Sequence, residues 1–283
     1  MKILVTGAAG FTGGHFSSIA REAGYDVYPL QADLIDGVAV TEEVLQAKPD
    51  YVVHFAAIAF VSHGEADDIY RVNIVGTHHL LHALSLLATP PKAVLLPSSS
   101  NVYGHAEKEM LDETAALLPA NDYGVSKLAM EHMARLWTDK LRIIITRPFN
   151  YTGLNQYPNF LIPKIVGHFI KKEETIELGN LDVERDYSDV RVVCDGYLKL
   201  LLTPEAIGQT VNVCSGVAYS LREIISTMEN IAGYKINVQV NPKFVRANEI
   251  KRLVGSNKKL HEVIGIQTYP PIEETVRWMY EGG

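Results

Sequence analysis

Ile3-Leu-Val-Thr-Gly7-Ala-Ala-Gly10-Phe11-Thr12-Gly13 is the stretch that decides the fold. A short, continuous apolar run ends in glycines spaced three apart, and a helical pattern opens over Gly13–Ala23. Glycine is needed where a backbone must turn tightly and let a diphosphate come close. The helix that follows supplies free amide donors and a partial positive charge. A glycine triplet alone is a weak signal. Between a strand and a helix it reads as a dinucleotide site, with Gly7, Gly10, Phe11, Thr12 and Gly13 as its candidate residues.

The pattern continues outward. Apolar runs at Ile3–Thr6, Asp26–Leu30, Tyr51–Phe55, Ala93–Pro97 and Arg142–Thr146 alternate with helical stretches at Thr41–Ala47, Ile69–Leu87 and Tyr123–Lys140. Unbroken Val/Ile/Leu strands separated by helices predict an α/β fold with a doubly wound parallel sheet, Rossmann-type, covered on both faces. After Asn150 the texture changes to Gly, Asn and Tyr, followed by smaller elements broken by Gly179, Pro204, Gly208, Gly216 and Pro242. Residues 1–150 are expected to form the dinucleotide-binding domain, with 186–214 returning to it. Residues 151–185 and 215–283 would build a smaller, interleaved C-terminal substrate lobe.

Bulk composition excludes several functions. The 283 residues are 47% hydrophobic and 21% charged, an ordinary globular balance. A formal charge of −7 argues against nucleic acid or an anionic membrane as the main partner. Two cysteines, Cys194 and Cys214, give neither a disulfide framework nor a zinc cluster. The chain opens on a strand and not on a targeting segment, and no apolar run reaches the ~18 residues of a membrane span, so a cytoplasmic protein is expected.

The chemistry concentrates in two later stretches. Asn121-Asp-Tyr123-Gly-Val-Ser-Lys127 reads as a capped helix start, which puts Tyr123 and Lys127 four residues apart on one face. A free tyrosine titrates near ~10, and a neighbouring ammonium favours its phenolate, making a proton shuttle. Taken alone, the same five residues fit an ordinary surface helix. Upstream, AVLLP runs into Ser98-Ser99-Ser100-Asn101-Val102-Tyr103-Gly104, a loop leaving the carboxyl end of a parallel strand, where such sheets build their sites. No G-x-S-x-G elbow surrounds these serines, which argues against a hydrolase nucleophile. At the cofactor end, Gln31 closes the second strand where an acid would grip a ribose or an arginine a 2′-phosphate. Asp33 and Leu34 follow as candidate adenine contacts, and Ala56 and Ala57 end the third strand with small residues.

With TGAAGFTGGH, ADLID, HFAA, VNIVGT, SSSNVYG, YGVSK, RPFN, RDYSDVR and RANEI in this order, the chain resembles the extended short-chain dehydrogenase/reductases that act on nucleotide sugars. The resemblance covers nearly the whole chain. It implies NADP or NAD as cofactor, with Tyr123, Lys127 and Pro148 beside it, and a catalytic set of Ser99, Tyr123 and Lys127. Tyr123 would move a proton at the sugar oxygen, Lys127 would hold the nicotinamide ribose and depress the tyrosine pKa, and Ser99 would orient the carbonyl. The family's 4,6-dehydratases carry acids just after the catalytic hydroxyl. Here Ser100 and Asn101 stand there, and neither is a base at neutral pH. A ketoreductase or an epimerase remains.

The segment from Arg147 to Ile170 looks most like reductases of GDP-linked 4-keto-6-deoxy sugars, enzymes of deoxysugar and surface-polysaccharide synthesis. That resemblance implies Ser99, Ser100, Asn101, Asn150, Lys164, Arg185, Arg246 and Glu249 as contacts to a nucleotide-diphosphate sugar. Arg191-Val192 departs from the family's Arg-Asp, so Val192 carries no role. His78 and His82 share a helix face but lack a third ligand, so no metal is expected. The helix that bears them packs in a homodimer in related enzymes. The competing readings are a 4-epimerase holding NAD tightly, and a non-catalytic NAD(P)-binding regulator.

Overall fold

The computed structural model describes residues 1–59, 66–106, 108–244 and 250–282. Six parallel strands form the main sheet in the order β2-β1-β3-β4-β5-β9. They are β1 (Lys2–Thr6), β2 (Asp26–Pro29), β3 (Tyr51–His54), β4 (Ala93–Pro97), β5 (Ile143–Pro148) and β9 (Thr210–Val213). The Val/Ile/Leu runs are buried on both sides because helices cover both faces. On one face α1 (Phe11–Glu22) and α7 (Val190–Leu202) pack through Phe16, Ala20, Val193 and Tyr197 against Ile3, Val5, Val53 and Leu95. On the other, α2 (Gly37–Ala47), α4 (Thr77–Ser85) and α5 (Asp122–Arg135) pack through Val44, Leu80, Leu84 and Met130 against Leu4, Val52, Val94 and Ile145. Truncating a fully buried strand residue such as Leu95 to Ala is expected to cost about 2–5 kcal/mol.

One long helix over Ile69–Leu87 is expected from the sequence. The structure divides it into α3 (Ala66–Tyr70), a π-helical turn at Arg71–Gly76, and α4. Buried Asn73 explains the break. Its side chain accepts from Ile58 N at 2.9 Å, donates to Ile58 O at 3.0 Å and to Ser126 Oγ at 3.0 Å. The widened turn lets one side chain fasten the β3 loop and α5 together. Helix α5 also ends earlier than Lys140. After Arg135 the ladder tightens to Leu136 N→Met133 O and Trp137 N→Ala134 O, and Trp137 turns to meet the rings of His78 and His82. Strand β5 runs two residues past Thr146 because its pairing with β9 continues through Pro148↔Val213.

The smaller lobe comprises β6 (Asn150–Thr152), α6 (Leu161–Ile170), β7 (Thr175–Leu178), β8 (Glu184–Asp189), β10 (Ala218–Ser220), α8 (Leu221–Ala232), β11 (Asn237–Val240), β12 (Arg252–Leu253) and α10 (Ile272–Glu281). Its core joins Ile165, Phe169, Ile224, Met228 and Val276. Strand β8 pairs with β6, β10 and β12. The chain therefore returns to the main sheet at Val190, through α7 and β9, and not at residue 186. Helix α9 (Lys258–Ile264) returns as well, seating Leu260 in the core beneath α7. Among the described residues no helix is long and apolar enough to cross a membrane.

Candidate active site

The glycine turn has the geometry its spacing requires. Gly7 adopts φ +67°, and a Cβ there would lie 2.7 Å from Ala56 N. A Cβ on Gly13 would meet Gly7 O at 2.1 Å. Gly10 caps α1 with no side chain bonded to the helix amides and no acid in the first turn, so these donors and the helix dipole face outward. A dinucleotide diphosphate fits this cradle. Behind it, His54 Nδ1 lies 2.7 Å from Thr6 Oγ1 and Nε2 2.9 Å from Thr77 Oγ1. Thr77 gives its proton to Asn73 O, so it accepts from His54 Nε2–H. Thr6 accepts from Ala56 N and donates to Nδ1. Burial, aided by the Lys127 charge, pushes the imidazole down to about 3 and keeps it neutral. This relay holds the β1 and β3 ends, with Ala56 and Ala57, at the cofactor cradle.

The catalytic residues stand at the ends of β4 and α5. Asn121 Oδ1 caps α5 by accepting from Gly124 N at 2.8 Å, which fixes Tyr123 and Lys127 in its first turns. Ser99, buried just beyond β4, accepts from Asn101 N at 3.1 Å and Asn101 Nδ2 at 3.0 Å. With two N–H groups on its oxygen, Ser99 directs its own proton toward the Tyr123 phenol, to which it is hydrogen-bonded. Asn101, the residue replacing an acid, is thus a positioning group for Ser99. Asn121 Nδ2 donates to Asn101 Oδ1 at 3.4 Å and closes the loop onto the helix.

The ammonium of Lys127 is buried beside the Tyr123 ring. It donates to Pro97 O at 2.9 Å and lies 5.9 Å from the centre of the Tyr123 ring. Burial dominates both groups. It lifts the Tyr123 phenol to about 12, against the opposing Ser99 bond, and lowers Lys127 to about 8, against the pull of Glu131. In this arrangement burial favours the protonated form of Tyr123.

Further residues escaped sequence reasoning. One turn after Lys127, Glu131 receives a bidentate clamp from Arg147, Nε–Oε1 2.9 Å and Nη2–Oε2 2.7 Å. Arg147 Nη1 donates to Tyr103 OH at 3.1 Å, which donates to Asn212 Oδ1 at 2.6 Å. This buried chain ties α5 to β5, β9 and the Ser99 loop. Its only sequence signal is a charged pair at otherwise apolar positions. Tyr151 is similar: its hydroxyl lies 2.8 Å from Thr12 Oγ1 and its ring stacks on Phe11.

Other candidates are more dispersed. Ser100 is fully buried in the turn after Ser99. Pro148 ends β5. Gln31 folds its amide onto Pro29 O, Asp33 accepts from Ile35 N in its own turn, and Leu34 is buried against Gly76. Asp33 is exposed, and its bond to Ile35 N helps to shape the loop. In the lobe, Asn150 bonds Tyr187 and pairs with it in register. Arg185 Nη1 donates to Glu184 O, and Lys164 Nζ donates to Glu177 O at 2.7 Å with the Phe244 ring 4.5 Å away. Arg246 and Glu249 lie outside the described residues. His78 and His82 stack at 6.4 Å beside Trp137.

A family model described as GDP-mannose 4,6 dehydratase matches residues 29–279. The chain belongs to that family. It is an extended short-chain dehydrogenase/reductase, and its cofactor is NAD(P). It is similar to GDP-6-deoxy-D-talose 4-dehydrogenase of Aggregatibacter actinomycetemcomitans, at 36% identity over 94% of this chain and 92% of that one. It is 31% identical to GDP-6-deoxy-D-mannose reductase of Pseudomonas aeruginosa, over 98% of this chain and 95% of the other. A structure of RMD from Pseudomonas aeruginosa complexed with NADPH superposes with TM-score 0.90 at 29% identity, covering 99% and 96%. A Burkholderia cenocepacia J2315 crystal structure, whose description proposes an epimerase, gives TM-score 0.94 at 47% identity, covering 99% and 97%.

Proposed function

We propose that the protein reduces the C4 keto group of a nucleotide-linked 4-keto-6-deoxy sugar, GDP-linked by preference. The observation that carries this reading is the Ser99–Tyr123 pair with a protonated, raised-pKa phenol and no acid at positions 100 and 101. Reduction places negative charge on a carbonyl oxygen. Tyr123, held as an acid, donates a proton to that oxygen, while Ser99 donates a hydrogen bond that keeps it aligned. The Lys127 charge, fixed by Pro97 O at the mouth of β4, favours the anion left on Tyr123. When bound, the reduced nicotinamide supplies the hydride. Elimination of water would need a base beside Ser99, and Asn101 is committed to bonding it.

The named relatives act on GDP-6-deoxy sugars of talose and mannose, which differ in configuration at C4, and this supports a GDP-linked 4-keto substrate. On this reading Asn150, Lys164, Arg185 and Arg246 serve the nucleotide diphosphate and Glu249 the nucleotide ribose. The 47% identical structure favours a second reading, a 4-epimerase that keeps NAD bound. The exposed Leu86 and Leu136 on the α4–α5 side are where a second copy would pack, and light scattering would show the dimer.

The test is incubation with NADPH or NADH and 4-keto-6-deoxy sugars carrying GDP, CDP or dTDP. Loss of reduced-nicotinamide absorbance, one equivalent per product and fastest with GDP, is expected. Interconversion of 4-epimers without added cofactor would establish the epimerase instead.

A further inference from the structure

Beside the glycine turn lies a groove of about 420 Å³ lined by Gly7, Ala8, Ala9, Gly14, Ser17, Arg21, Pro29, Leu30 and Gln31. Three of these, Gly14, Ser17 and Arg21, form one stripe on α1, spaced three and four apart. Gly14 and Ser17 are small and leave the groove open; Arg21 stands at its far end. The guanidinium is exposed and makes no hydrogen bond or ion pair with the described residues. Ser17 Oγ is buried without a partner among them.

The opposite wall is the end of β2. A carboxylate there would grip a ribose 2′-hydroxyl and repel a 2′-phosphate. Gln31 is neutral and its amide is turned onto Pro29 O. The nearby acid, Glu43, is taken up by the backbone amides of Gln31 and Ala32, at 2.9 and 2.7 Å, and is not part of the lining. Arg21 is therefore the one charged group on the groove wall. A cation in the last turn of a helix also favours the helix dipole, but that role needs no groove.

We infer that this groove takes the adenosine 2′-phosphate of NADPH, with Arg21 as the residue that selects NADPH over NADH. The inference rests on the dinucleotide site and is independent of which sugar is reduced.

Equilibrium titration of the intact protein, without sugar, tests it. Wild-type protein should bind NADPH at least about tenfold more tightly than NADH, from charge-assisted bonds to one phosphate. It should also bind 2′,5′-ADP more tightly than 5′-AMP. Arg21→Ala should weaken NADPH and 2′,5′-ADP roughly ten- to a hundredfold and leave NADH within about twofold. Arg21→Lys should keep part of the preference, and Gln31→Asp should reverse it. Unchanged NADH affinity in the two Arg21 variants reports an intact fold. Equal affinities in the wild type, or loss of both cofactors alike in Arg21→Ala with the fold intact by circular dichroism, would overturn the inference. Either result would leave a measured sugar reduction standing.

Discussion

The catalytic edge and the substrate lobe are built on opposite principles. At the ends of β4, β5 and α5, buried groups are bonded to one another: Asn101 to Ser99, Lys127 to Pro97, Arg147 to Glu131 and Tyr103. In the lobe, Lys164 and Arg185 donate to backbone oxygens, on elements that join through short mixed pairings. The first region fixes one reaction geometry. In the second, the proposed diphosphate would compete with carbonyl oxygens for these cations. On the proposed reading, the bonded catalytic edge sets the reaction type and the lobe's cations the choice of substrate.

This contrast is broken most severely at Tyr123. Tyr123→Phe should lower kcat by about 10³–10⁴-fold while cofactor binding, read by fluorescence titration, is retained. Near-normal turnover would remove the phenol from the mechanism. The second effect is on stability. Arg147→Ala strands the buried Glu131 carboxylate and should cost about 3–5 kcal/mol in urea unfolding. Replacing the pair with Met and Leu should recover much of that loss. Arg185→Ala, by contrast, should change stability by less than about 1 kcal/mol and raise KM for the sugar nucleotide roughly tenfold.

Two pH effects sharpen the comparison. His54 is held at about 3, well below the ordinary histidine value of about 6.5, so the folded state binds fewer protons than the unfolded chain between these values. Stability from this group is present above pH 6.5 and falls as pH drops toward 3, by an amount on the order of 5 kcal/mol. His54→Gln should flatten that acid limb in denaturation curves. Lys127, lowered to about 8 by burial, loses its proton as pH rises through that value. The kcat/KM profile for reduction should therefore decline above about pH 8, and a flat profile to pH 10 would remove the lysine charge from the rate.

What the sequence reveals follows the same division. The glycine turn and the Tyr123–Lys127 helix are local, so spacing alone places them, and Asn121 caps the helix as its position predicts. The break at Asn73 is hidden because its cause, the Ile58 backbone, is remote in sequence. The placement of β8 is hidden likewise, since its buried Asp186 accepts from Ser215 and Gly216 far along the chain. The balance of effects on the Tyr123 phenol is hidden for a third reason. Spacing gives proximity to Lys127, but not the burial that outweighs it.

The most direct measurement is the fate of a labelled hydride. With NADPH deuterated at the transferable position of C4 and a GDP-linked 4-keto-6-deoxy sugar, the product should carry one deuterium at sugar C4 for each NADP formed. Turnover of that sugar with no deuterium at C4, or no cofactor oxidation with any 4-keto sugar, would contradict a reductase built on Ser99 and Tyr123.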